Sequence, residues 1–222
     1  MNSAEKDFIV AYLRGTQRRF KPGAAEGTLK IVEYGLRNAV STADIAYLLA
    51  TSWHETAQWM QPIREGCSRT GPAGTDKQAR AAVQAAINKG LIKKNYLIPT
   101  AGVYHYGRGL VQITWADNYG KFEAMTGLPL KAQPDLALQW DASLTILYRG
   151  CLDGMFTGKK LSQYYLKNPL KSQYASARAV VNGDVRKNGN LIAGEAMIWY
   201  SYLQQHRIAL EASYGYEEGL NE

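Results

Sequence analysis

Cysteine and histidine are the two residue types this chain has least of, two of one and three of the other in 222 positions, and each scarcity removes a class of chemistry. Cys67 and Cys151 cannot build the dense disulfide framework of a small secreted domain, and they read as two free, partly buried thiols. A zinc-protease motif on a helix needs a second histidine four residues after the first, and position 58, four after His54, is Gln. No metal and no cofactor is expected. The Gly-x-Ser-x-Gly elbow of a serine hydrolase is missing, and Gly107-Arg108-Gly109 is too short to cradle a phosphate without a following Lys-Ser or Lys-Thr. No run of about 18 apolar residues occurs, which excludes a spanning helix of the ordinary kind. The first helical stretch carries Glu5, Lys6 and Asp7 ahead of Phe8 and Ile9, so it lacks the uncharged core of a secretory signal. A soluble chain with no signal peptide and no stable membrane insertion is expected.

Lys and Arg outnumber Asp and Glu by 26 to 19, a net charge of +7, which favours an anionic partner such as nucleic acid, anionic lipid or the acidic cell envelope. The basic residues are spread out and no nucleic-acid reader motif appears, so no nucleic-acid partner is expected. With 46% hydrophobic residues, the chain suffices for one domain, or for a domain with a small second lobe. Periodicity predicts helices over 2–17, 28–36, 41–56, 76–89, 119–125, 174–181 and 191–211, with an apolar helix through Trp140, Leu144, Tyr148 and Leu152 as the central buried element. Glycines and prolines punctuate 62–75, and residues 71–103 read as a small inserted helical lobe. Leu110 to Trp115 alternate as a strand, which puts Leu110, Gln112 and Thr114 on one face. The fold class expected is mainly α with one short β region.

Ser41 to Gly66 organises the chemistry. Ser41, Thr42 and Asp44 open a helix whose Ile45, Leu48, Leu49 and Trp53 lie on a core. Glu55 follows Leu48 by seven residues, and at about 100° per residue it points within about 20° of it. A carboxyl group at the edge of an apolar face is disposed to hold a proton at neutral pH, as a general acid must. The same residue also reads as an exposed glutamate at a helix end, paired with Arg64 or Arg69. A second glutamate, Glu65, starts the following loop. Two glutamates, a polar strand face and many aromatics suit cleavage of a glycosidic bond, which needs one protonated carboxyl and one carboxylate. Other readings stay open here: Glu65 as an arginine partner, Gln112 and Thr114 as strand-edge caps, Asn182-Gly183 as a helix C-terminal turn.

His54-Glu55-Thr56 after an apolar helix, Arg64-Glu65-Gly66, and Tyr106 to Trp115 leading to Asn118-Tyr119-Gly120 together resemble glycoside hydrolase family 19, which includes plant-type chitinases and phage endolysins. The resemblance is clear over about 45–127 and weaker at Pro134-Asp135 and 181–183. It implies a lysozyme-like, two-lobed fold with the short β region lining the cleft, in a single catalytic domain over 1–222. It implies Glu55 as general acid, Glu65 as the carboxylate that activates water, and Thr114 as the hydroxyl that steadies that water. Tyr106, Gln112, Asn118 and Asn182 match sugar-binding positions. The loop between the glutamates is shorter than in plant chitinases, Leu110 stands where proline is usual, and Asp117 where tyrosine is common in chitinases. The partners implied are peptidoglycan glycan strands within an anionic envelope. A monomeric endolysin, made in a host cytoplasm and acting on the periplasmic wall, is expected. A chitinase, an antibacterial muramidase and a non-catalytic glycan-binding protein are the alternatives.

Overall fold

The computed structural model describes residues 1–164 and 168–215, and it is mainly helical. In chain order the α-helices are α1 (Ser3–Thr16), α2 (Ala24–Arg37), α3 (Thr42–Glu55), α4 (Asp76–Asn88), α5 (Ala116–Lys121), α6 (Glu123–Thr126), α7 (Trp140–Leu152), α8 (Lys171–Ala177) and α9 (Val185–Ser213). The expected helix at 119–125 is divided at Phe122, and the one at 174–181 begins three residues earlier and tightens to a 3-10 turn over Arg178–Val180.

Helix starts follow their caps. Asn2 and Glu5 close a reciprocal capping box on α1, and the Ser41 hydroxyl accepts the Asp44 N–H at the start of α3. From Ile45 through Trp53 every residue of α3 is buried, so this helix is covered on all sides. Its main partner is α9, which also packs on α8 and α1. The central element is therefore α3, not the helix around residue 145 that the sequence singles out. In α3 the small residues Ala46 and Ala50, four apart, share one face, and the large side chains of Ile45, Tyr47, Leu48, Leu49 and Trp53 are buried on the others. The Tyr12 and Trp199 rings stack at 3.8 Å and 2°, which fixes α1 against α9.

Two apolar clusters result. The larger joins all the long helices except α4, and the smaller gathers Cys67, Ala79, Val83 and Tyr106 with Ile87, Ile92, Tyr96 and Leu97 around α4 and the segment after it. Cys67 and Cys151 belong to different clusters.

The expected strand over Leu110–Trp115 does not form. The sheet consists of two short antiparallel strands, β1 (Ile63–Arg64) and β2 (Arg108–Gly109), with Ile63 opposite Gly109 and Arg64 opposite Arg108. The chain then folds back so that Arg108 and Ile113 exchange backbone hydrogen bonds at 3.2 and 3.0 Å. Gln112 at φ 54° and Trp115 at φ 73° break the extended geometry that a period of two requires. Leu110, expected beside Gln112 and Thr114, is instead buried with Val111 and Ile113.

Gly27 shows how closely α2 approaches the loop after α3. A Cβ there would lie 1.8 Å from the Met60 carbonyl oxygen. Gly27→Ala gains about 1 kcal/mol of helix propensity, but the forced backbone shift outweighs it, for an expected net loss of about 1–3 kcal/mol. Urea unfolding checks this: an unchanged or raised midpoint contradicts the contact.

Candidate active site

The end of α3 is fixed by Thr56, whose hydroxyl donates to the Ser52 carbonyl at 2.6 Å and accepts the Met60 N–H at 3.0 Å. The chain then turns sharply through left-handed backbone at Ala57, Gln58 and Met60. Glu55, in the last turn of α3, thereby faces a cleft of about 680 Å³ that Glu65 also lines.

Glu55 does not lie among apolar groups, as its place on the helix predicts. Arg178 Nη1 donates to Glu55 Oε1 at 2.7 Å, with the arginine side chain 2% exposed and the glutamate 17%. Neither Arg64 nor Arg69 is its partner. Arg64 donates to Asp135 and to the Gly74 carbonyl, both at 2.8 Å. Arg178 comes from the 3-10 turn before α9 and forks onto Asp184, Nε to Oδ1 at 2.6 Å and Nη2 to Oδ2 at 3.2 Å. Burial pushes the Asp184 carboxyl up, but the hydrogen bonds from Arg178 and Asn188 outweigh it and hold it below the usual carboxylate range.

Glu65 follows β1 and is held at both oxygens. The Tyr96 hydroxyl donates to Oε1 and the Gly107 N–H to Oε2 at 2.8 Å, while the Glu65 N–H donates to the Gly107 carbonyl at 2.8 Å. A Cβ at position 107 would sit 2.9 Å from Glu65 Oε2 and 3.0 Å from Gln112 Oε1, so glycine is what lets the backbone approach the carboxylate. Burial pushes the Glu65 carboxyl above its ordinary value and the charge of Glu55 adds to it, against the hydrogen bonds from Tyr96 and Gly107.

Behind Glu65, Arg108 is 2% exposed and lies 3.7 Å over the Tyr106 ring. It donates to Asp135 Oδ1 at 2.7 Å and to the Tyr104 and Tyr106 carbonyls at 3.1 Å. Asp135 thus clamps Arg64 of β1 and Arg108 of β2 together. Burial pushes its carboxyl up, but these two guanidinium groups bring it below its ordinary value.

Of the other expected site residues, Gln112, Thr114, Asn118 and Asn182 line the cleft, and with Glu55 they also line a smaller adjoining recess. Gln112 Nε2 donates to the Ile63 and Gly109 carbonyls at 3.1 and 2.9 Å, and Asn118 Nδ2 to the Thr114 carbonyl at 2.9 Å. Tyr106 is not at the cleft: it is fully buried beneath Arg108, its hydroxyl donating to Asp76 at 2.7 Å. Period-two reasoning put Trp115 opposite Gln112 and Thr114, yet it lines the same cleft, 42% exposed and edge-on to Tyr96 at 5.6 Å.

Arg178, Asp184 and Tyr96 escape a reading of the sequence. Arg178 lies 123 residues from Glu55 and no local pattern joins them. Tyr96 follows two lysines in a segment without periodicity. Among the described residues no group of three or more His, Cys, Asp or Glu is disposed to hold a metal, and His54 lines a different cavity. No family model matches the chain, and neither does any curated protein or solved structure compared with it.

The raised carboxyl of Glu65 has a consequence for stability. The folded protein holds this proton more tightly than the unfolded chain, so folding loses free energy as pH rises from the ordinary glutamate value through the folded one. Glu65→Gln removes that penalty. Its melting temperature relative to the parent is expected to be higher at pH 7 than at about pH 3.5, below the free glutamate pKa. An equal difference at both pH values contradicts the burial of this charge.

Proposed function

We propose that the protein is a glycoside hydrolase of the family 19 type, lysozyme-like and two-lobed, with residues 71–103 as the smaller inserted lobe. Its substrate is the β-1,4-linked amino-sugar strand of bacterial peptidoglycan. The observation that carries this is a pair of carboxyl groups in unlike surroundings on one cleft: Glu55 beneath a buried guanidinium, Glu65 desolvated and hydrogen-bonded at both oxygens.

Glu55 is the general acid. Once it carries the proton, Arg178 remains neutralised by its fork to Asp184, so no buried charge is left unpaired. Once the proton passes to the leaving oxygen, the new carboxylate meets a guanidinium already in place, with no reorganisation needed. Glu65 is the base. Its raised affinity for a proton makes it a stronger acceptor near neutral pH, and Tyr96 and Gly107 fix the direction from which it takes one from water. Thr114 steadies that water. Trp115 offers an exposed ring to a sugar face, and Gln112, Asn118 and Asn182 offer amides to its substituents. The role that fits a basic chain of this kind is lysis of a bacterial host by a phage-type muramidase acting as a monomer.

Loss of turbidity of purified cell walls is the assay. Glu55→Gln keeps size and hydrogen bonding but delivers no proton, so a fall of about 10² or more is expected with the fold intact by circular dichroism. Retention of over about a third of the rate removes Glu55 from the mechanism. Thr114→Val is expected to slow hydrolysis while nearly preserving shape. Proton NMR of the first-formed sugar end is expected to show the α anomer, because a water-activating Glu65 inverts the centre; a β anomer makes Glu65 a nucleophile or a bystander.

A further inference from the structure

The segment between α4 and β2 brings two lysines to the cleft that catalysis does not use. Lys93 and Lys94 line it and are exposed, and among the described residues neither makes an ion pair. The third cation there, Arg64, is committed to Asp135. Tyr96, two residues after Lys94, donates its hydroxyl to Glu65, which pins the segment beside the reacting centre. An extended chain spans at most about 3.6 Å per residue, so the Lys93 Cα lies within about 11 Å of the Tyr96 Cα. Both side chains line the same cleft as Glu55 and Glu65, so a glycan strand bound there runs past them.

We propose that Lys93 and Lys94 form an anion subsite at the lip of the cleft, which takes a carboxylate carried on the glycan strand next to the bond that is cut. The inference rests on the glycan-cleaving function proposed above and adds the substrate's charge to it. A neutral amino-sugar polymer offers two unpaired ammonium groups nothing. In peptidoglycan, alternate sugars bear a lactyl-peptide substituent whose carboxylates lie within a residue or two of every glycosidic bond. An exposed ammonium is a strongly hydrated, adaptable point charge, suited to a flexible peptide carboxylate that has no fixed geometry.

The test compares the parent with Lys93→Gln/Lys94→Gln on peptidoglycan stripped of phosphate polymers, on the same material with its carboxyl groups amidated, and on a neutral N-acetylglucosamine oligomer. Lys6→Gln/Lys159→Gln, at exposed positions outside the cleft, removes the same charge and serves as control. Two exposed contacts of ordinary strength give an expected loss of about tenfold in kcat/KM for the cleft variant on native peptidoglycan. No difference from the parent is expected on the amidated material or the neutral oligomer, and the control is expected to stay within about twofold on all three. Equal losses on native and amidated strands, or a control that loses as much, overturn the subsite. Binding to the same materials, measured by sedimentation with the Glu55→Gln protein, separates the two claims. If carboxyl-dependent binding persists where the parent cleaves nothing, hydrolysis is wrong and the subsite stands. If the parent cleaves all three materials alike and the cleft variant equals it, the subsite is wrong and hydrolysis stands. Loss of all glycan binding removes both.

Discussion

A guanidinium 2% exposed to solvent must be met by negative charge, because an unpaired buried charge costs several kcal/mol. Arg178 meets two carboxylates, and they come from distant parts of the chain: Asp184 at the start of α9 and Glu55 at the end of α3. This pairing binds the two helices that form the centre of the fold at the point where the cleft opens. The packing of α3 against α9 sets where Glu55 ends, and Arg178 sets which way its carboxylate faces. Core and site are thus one arrangement, and a change in the α8 to α9 turn acts on both.

The second carboxylate is held by different means. Among the described residues no guanidinium forms an ion pair with Glu65, which is held by one hydroxyl and one backbone N–H, both from the segment 96–107. Arg108 and Asp135 hold β1 and β2 in register behind it, so the position of Glu65 depends on the smaller cluster while that of Glu55 depends on the larger. The two groups consequently differ in electrostatic setting, one ion-paired and one desolvated with its proton affinity raised. The group with the raised proton affinity is Glu65, whereas the sequence expectation gave the held proton to Glu55.

Periodicity made the long helices legible: α1, α3 and α4 carry both an apolar stripe and a side-chain cap, while α2 carries the stripe and starts at Gly23 without one. Glu55, Glu65, Gln112, Thr114, Asn118 and Asn182 were identified by motif and do border one cleft. The reasons attached to them fared less well. Alternation failed over 110–115 because Gln112 takes positive φ, which a pattern of apolar residues cannot register. The apolar-edge argument for Glu55 failed because it counted neighbours on its own helix and not a buried arginine 123 residues away. Tyr106 was placed among the sugar-binding positions by the motif alone, and nothing in the local sequence signals that Arg108 covers its ring. Long-range polar contacts, which decide electrostatics at this site, leave no local trace in the chain.

The central claim is that water, activated in this cleft, attacks an anomeric carbon. Digestion of purified peptidoglycan in ¹⁸O-enriched water, followed by reduction of the products and mass spectrometry of their sugar ends, tests it directly. One ¹⁸O at the new reducing end of the glycan is the predicted result. Label in a freed peptide carboxyl, or a glycan end formed without label, contradicts it.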